Sequence, residues 1–148
     1  MNKLNYGKIK LFGKKIYLFC DMFNVKRPFV VKPDNRFKKL TAQVLHYKHN
    51  KTNNSKYIIL YNPRQISSLS NWEITYIVLH ELGHIKTKSC LNELESEYRA
   101  EKFAYNIIYK FFKYKLSWYL KYINNYSNSN RNDIFKKVSI KMQKYIKR

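Results

Sequence analysis

The stretch ITYIVLHELGHIKTK, residues 74–88, sets His80, Glu81 and His84 in one apolar run as H-E-x-x-H. On a helix, residues four apart share a face, so His80 and His84 can offer two imidazole nitrogens to one ion. Glu81, about 100° around the axis, then reaches a water beside that ion. Zn²⁺ held this way is a Lewis acid that brings the pKa of water toward neutrality, and the glutamate can take a proton as water attacks a peptide carbonyl. With four His and six Glu in 148 residues, the pattern is expected by accident about 0.004 times. Chance is a poor explanation.

A tetrahedral catalytic site needs a third protein ligand and one open position. No histidine follows His84, and His46 and His49 lie upstream, so the downstream glutamates are the candidates. If the helix carrying H-E-x-x-H and the next one form an antiparallel pair, facing residues sit equally far from their connection. His84 then lies opposite Glu97, and His80 opposite Glu101. Glu93, Glu97 and Glu101 share a face by i, i+4 spacing, whereas Glu95 points elsewhere and Glu93 is too near the loop. The expected ligand set is His80, His84 and Glu97. Glu101 is expected to accept the other N–H of a histidine ligand, His80, and so orient it.

The elements that must position these residues divide the chain in three, and its length fits one domain. Residues 1–63 read as β-rich. KIKLFGKKIYLF shows two alternating runs about Gly13, a hairpin signal, and KRPFVVKPDN, broken by Pro28 and Pro33, reads as loop or edge strand. LTAQVLHY and KYIILYN flank the polar KHNKTNNS, a second hairpin with a long basic tip that Pro63 closes. Residues 70–123 carry the metal-site helices. Ser70 with Glu73 is a capping-box signature for a helix over about 71–87, and Asn92 with Glu95 starts another. That second pattern continues to Ile123, roughly 46 Å at 1.5 Å per residue, which predicts a break near Lys115 to Trp118. NNYSNSNRN reads as loop, and residues 133–147 as a basic amphipathic helix with Ile134, Val138, Met142 and Tyr145 on the side that packs on the core.

Composition limits the partners. The net charge is +21, from 24 Lys and 6 Arg against nine acids, beside 16 Asn and 14 Tyr. Lysine is a point charge where arginine forks around phosphate, so the bias suits diffuse, non-specific nucleic-acid contact rather than base reading. Six acids and four bases fall between residues 57 and 101, while 26 bases and three acids lie outside. Carboxylates thus gather around H-E-x-x-H, as a cation site within a basic shell requires. Cys20 and Cys90 belong to no C-x-x-C pair and read as idle thiols. Lysines interrupt both the N-terminal apolar stretch and FAYNIIYKFFKYKLSWYLKYI, so neither a signal peptide nor a membrane span is expected, and the cytoplasm is the default location.

VLHELGHIKT followed by ESEYRAEKFAYNII resembles the ImmA/IrrE group of zinc peptidases, whose pattern is H-E-L-G-H and then E-x-x-A-[N/D]-x-F-A on the next helix. Glu97, Ala100, Phe103 and Ala104 fall on that second motif, and Glu101 stands where Asn or Asp is usual. The likeness covers about residues 55–110. It implies a small zincin-like domain with a twisted, mostly antiparallel sheet, the active-site helix and a helix donating the glutamate; with the C-terminal amphipathic helices read from periodicity, the expected fold is α+β. It also implies a zinc endopeptidase acting on a specific protein such as a DNA-binding transcriptional repressor, docked as an extended segment along the sheet edge near KYIILYN. Tyr76 or Arg99 could stabilise the oxyanion, with Tyr76 also suited to the core. The rival expectations are a lysine-rich nucleic-acid-associated protein whose metal site is structural or vestigial, and a membrane-active factor using its C-terminal helices.

Overall fold

The computed structural model describes residues 4–36, 41–48, 55–88, 92–130 and 133–147, the side chains of Lys48 and Ser55 excepted. It is α+β, with six α-helices and a three-stranded mixed sheet among the described residues.

The first element departs from expectation. KIKLFGKKIYLF is not a hairpin but part of α1 (Tyr6–Met22). Phe12, Ile16 and Phe19 recur at helical spacing and are buried, and Asn5 caps the helix by accepting the Lys8 N–H. Gly13 sits inside it where a Cβ would meet nothing within 4 Å. The helical penalty of one glycine, about 1 kcal/mol, is smaller than the gain from burying two phenylalanines and an isoleucine, at roughly 1.5–3 kcal/mol each.

The strands are β1 (Val30–Pro33), β2 (Ala42–Lys48) and β3 (Ser55–Tyr61), in the order β1-β3-β2. β2 and β3 form the expected antiparallel hairpin, from Ala42 opposite Tyr61 to Lys48 opposite Ser55; its basic tip, His49 included, lies outside the described residues. β1 is the expected edge strand but pairs parallel to β3, Val30 to Ile58 through Pro33 to Tyr61. The sheet is therefore mixed, with the longer pairing antiparallel as expected and the shorter one parallel. β3 is also its central strand, hydrogen-bonded on both sides, so no segment can dock along KYIILYN. Among the described residues the edge strands are β1 and β2.

Asn62 then accepts the N–H groups of Arg64 and Gln65, with Pro63 at the first helical position, and starts the short α2 (Pro63–Ser68). α3 (Asn71–Lys86) opens with the predicted capping box: Ser70 Oγ accepts the Glu73 N–H, and the Glu73 carboxylate accepts the Ser70 N–H. α4 (Glu93–Phe111) begins with Asn92 accepting the Glu95 N–H. It breaks at Phe112, three residues before the expected break, because that residue leaves the helical region (φ −130°, ψ 46°) with its ring among Phe19 and Trp72. A 3-10 turn (Lys113–Lys115) leads into α5 (Leu116–Ser127), so the predicted loop NNYSNSNRN is helical in its first four residues. α6 (Ile134–Ile146) starts at Asp133 and buries Val138, Ser139 and Met142. As expected, it packs on α4 and α5.

The core lies between α3 and its neighbours. Ile74, Val78, Leu79 and Leu82 of α3 are fully buried with Ile59 of the sheet, Phe12 and Ile16 of α1, and Ile108, Tyr119 and Met142 of the C-terminal helices. No helix among the described residues is long and apolar enough to cross a membrane.

Candidate metal centre

Helix α3 is buried along nearly its whole second half, from Val78 to Ile85, and this carries two histidines and a glutamate out of bulk water. A helix so enclosed needs polar partners for those groups. α4 supplies them.

His80 Nε2 lies 2.8 Å from Glu97 Oε2 and His84 Nε2 lies 3.1 Å from Glu97 Oε1. The carboxylate of Glu97 thus spans both imidazoles, and one ligand atom from each residue lies within 4.8 Å of the others. On the far side of the His80 ring, Nδ1 lies 2.7 Å from Glu101 Oε2. A carboxylate only accepts, and His80 meets one at each ring nitrogen, so a single ring proton serves only one of the two contacts. A second proton, or a metal ion at Nε2 with the proton on Nδ1, satisfies both. His80, His84 and Glu97 could hold a metal ion, and the donor set, two imidazoles and one carboxylate, is that of a borderline-soft divalent ion.

Electrostatics follow the same contacts. Burial alone would lower the pKa of His80, but its hydrogen bonds to Glu101 and Glu97 prevail and hold it well above the usual imidazole range. Burial would likewise raise Glu97; hydrogen bonds from His80 and His84 prevail and hold it well below the carboxylate range. Glu81 is different. It is buried, its Oε2 has no hydrogen-bond partner among the described residues, and burial raises its pKa against the pull of His80 and His84.

Glu101 anchors the arrangement. Fully buried, it accepts from the Tyr76 hydroxyl at 2.6 Å and the Tyr119 hydroxyl at 2.8 Å, both on Oε1, which leaves Oε2 for His80. Ser96 Oγ lies 3.3 Å from His84 Nδ1 and occupies the corresponding place for the second imidazole.

Four of the five residues of the expected site, His80, Glu81, His84 and Glu97, line one open cleft of about 960 Å³, and the fifth, Glu101, is buried behind His80. The same cleft is lined by Thr41 and the first residues of β2, Ala42 to Val44, and by residues of α5 and α6. No protein-family model, curated protein or solved structure matches the chain. The site has to be read from its own chemistry.

Other candidates fall elsewhere. Glu95 turns to Arg99 and Lys141, and Glu93 is exposed at the cleft mouth. Arg99 bonds Glu95 at 3.1 Å, and Tyr76 donates its hydroxyl to Glu101, so neither is committed to an oxyanion. His46 stacks on Tyr57 in the sheet. Cys20 is a buried free thiol whose pKa burial pushes up to about 11, consistent with the idle reading; Cys90 lies outside the described residues. Sequence reasoning missed Tyr119 and Ser96. Ser96 could have been found, since it precedes Glu97 on the face opposite His84. Tyr119 carried no signal among 14 tyrosines.

Proposed function

We propose that this protein is a zinc-dependent endopeptidase in which His80, His84 and Glu97 hold the metal, Glu81 is the general base, and Glu101 orients His80. The Glu81 carboxylate carries the reading. A buried carboxylate oxygen without a partner is costly, and this one lies in an open cleft beside three convergent ligand atoms. That is the arrangement a water-activating base requires.

Zn²⁺ at this group would polarise a peptide carbonyl and make water acidic enough to lose a proton near neutral pH. Glu81 takes that proton at its carboxylate and returns it to the departing amine, a role its burial-raised pKa suits. Glu101 keeps the His80 proton on Nδ1, so Nε2 stays a ligand atom. Beside the cleft, β2 is an edge strand of the sheet among the described residues and offers backbone N–H and C=O groups to an extended polypeptide.

The likeness of H-E-L-G-H and E-x-x-A-E-x-F-A to ImmA/IrrE peptidases supports this reading, and with it a small zincin-like domain acting on a protein in the cytoplasm, such as a transcriptional repressor. The test is Glu81→Gln. It should retain zinc and lower cleavage by about 10²–10⁴-fold; full cleavage by the variant would overturn the assignment. The +21 charge favours a second reading, a nucleic-acid-associated protein, whose steeply salt-dependent binding would be indifferent to Glu81→Gln.

A further inference from the structure

One part of the cleft lining is apolar: Ile77, Tyr122, Tyr126, Ile134 and Phe135. Each is only half-buried, whereas Ile74, Val78, Leu79 and Leu82 of α3 are completely enclosed. Five large apolar side chains turned to one open space leave apolar surface in contact with water, which is unfavourable unless something covers it.

This wall is held in place. Tyr122 stacks on Trp118 at 5.1 Å between ring centroids and meets Tyr76 edge-on at 5.1 Å. Its other side contacts Tyr126 at 4.9 Å, and Tyr126 in turn meets Phe135 edge-on at 4.5 Å. The rings form a chain from the metal-site helix to α6, so the surface is formed before any ligand arrives. Preorganisation of this kind lowers the entropic cost of binding.

Its distance from the reacting centre is set by α3. Ile77 precedes His80 by three residues and Glu81 by four, which makes it a surface neighbour of each, about 5–6 Å away. An extended chain advances about 3.3 Å per residue, so a polypeptide lying along β2 with its carbonyl at the ligands brings an adjacent side chain to this wall.

Resting on the peptidase reading above, we infer that this apolar part of the cleft is a specificity subsite for a large apolar side chain, aromatic or branched aliphatic, on a residue flanking the cleaved bond. The wall comes mainly from α5 and α6, outside the segment that carries the H-E-x-x-H motif. The C-terminal helices therefore select the substrate while α3 and α4 perform the chemistry. A small or acidic side chain would leave the rings uncovered.

The experiment compares two zinc-binding probes on the zinc-loaded protein by calorimetry: acetohydroxamate, which has no side chain, and 3-phenylpropionohydroxamate, which has the same metal-binding group and an aromatic one. The subsite predicts at least about tenfold tighter binding of the second, with the preference reduced to less than about threefold in Phe135→Ala and in Tyr126→Ala at unchanged zinc content. Equal affinity of the wild type for both probes, or a preference that survives in both variants, overturns the subsite and leaves the peptidase reading standing. A protein that holds zinc but binds neither probe, or that holds no zinc, overturns both.

Discussion

Gly83 of α3 lies so close to Ala100 of α4 that a Cβ on Gly83 would stand 2.6 Å from the Ala100 carbonyl oxygen and 2.8 Å from its Cα. Both atoms are backbone, so neither can swing away. This contact fixes how near the two helices approach, and the approach lets Glu97 span both histidines. Gly83→Ala should force the helices apart, destabilise the fold by about 1–3 kcal/mol and weaken metal binding. Denaturant unfolding and a zinc titration check this; wild-type values in both would show that the separation is not set here.

The Glu101 carboxylate accepts from Tyr76, Tyr119 and His80. Glu101→Gln replaces one acceptor oxygen with a donor that faces hydroxyl or imidazole, so zinc affinity should fall by about 10–100-fold. Tyr119→Phe removes one hydroxyl and leaves the acceptor, and its effect should be smaller. Competition with a chelator of known affinity measures both. A larger loss in Tyr119→Phe than in Glu101→Gln would contradict the proposed hierarchy.

Glu81 gives a pH-dependent prediction. Its folded-state pKa is raised by burial, so its ionisation opposes folding as pH rises through the folded value, and the penalty vanishes below the unfolded value of about 4.3. Chelated, metal-free Glu81→Gln should therefore be more stable than wild type by about 0.5–2 kcal/mol at pH 7, with the gain shrinking toward pH 4. Paired unfolding curves at the two pH values decide it. A variant less stable at pH 7 would mean that Glu81 has a native partner.

The helix pair and its facing residues were legible in the sequence because three local signals agreed there. Ser70 and Asn92 mark starts, apolar residues recur at helical spacing between them, and a short connection allows only an antiparallel neighbour. His84 and Glu97, and His80 and Glu101, consequently meet as expected. The N-terminus was not legible because KIKLF satisfies period two as well as 3.6, and Gly13 imitated a turn; tertiary burial of Phe12, Ile16 and Phe19 decided for helix. The parallel pairing of β1 and the tyrosine donors to Glu101 depend on contacts far apart in the chain, for which no local pattern exists.

The same glycine offers a further check on α1. With open space at its Cβ position and no positive φ, Gly13→Ala should stabilise the protein by about 0.4–1 kcal/mol. Thermal unfolding reads it directly; destabilisation would argue for a turn at residue 13.

Metal content tests the central claim most directly. Elemental analysis of the purified wild type beside Glu97→Ala and His84→Ala should find about one zinc per chain in the wild type and its loss in both variants. Wild-type protein that takes up no zinc when zinc is supplied, or variants that keep it, would contradict the assignment of His80, His84 and Glu97 as a metal centre.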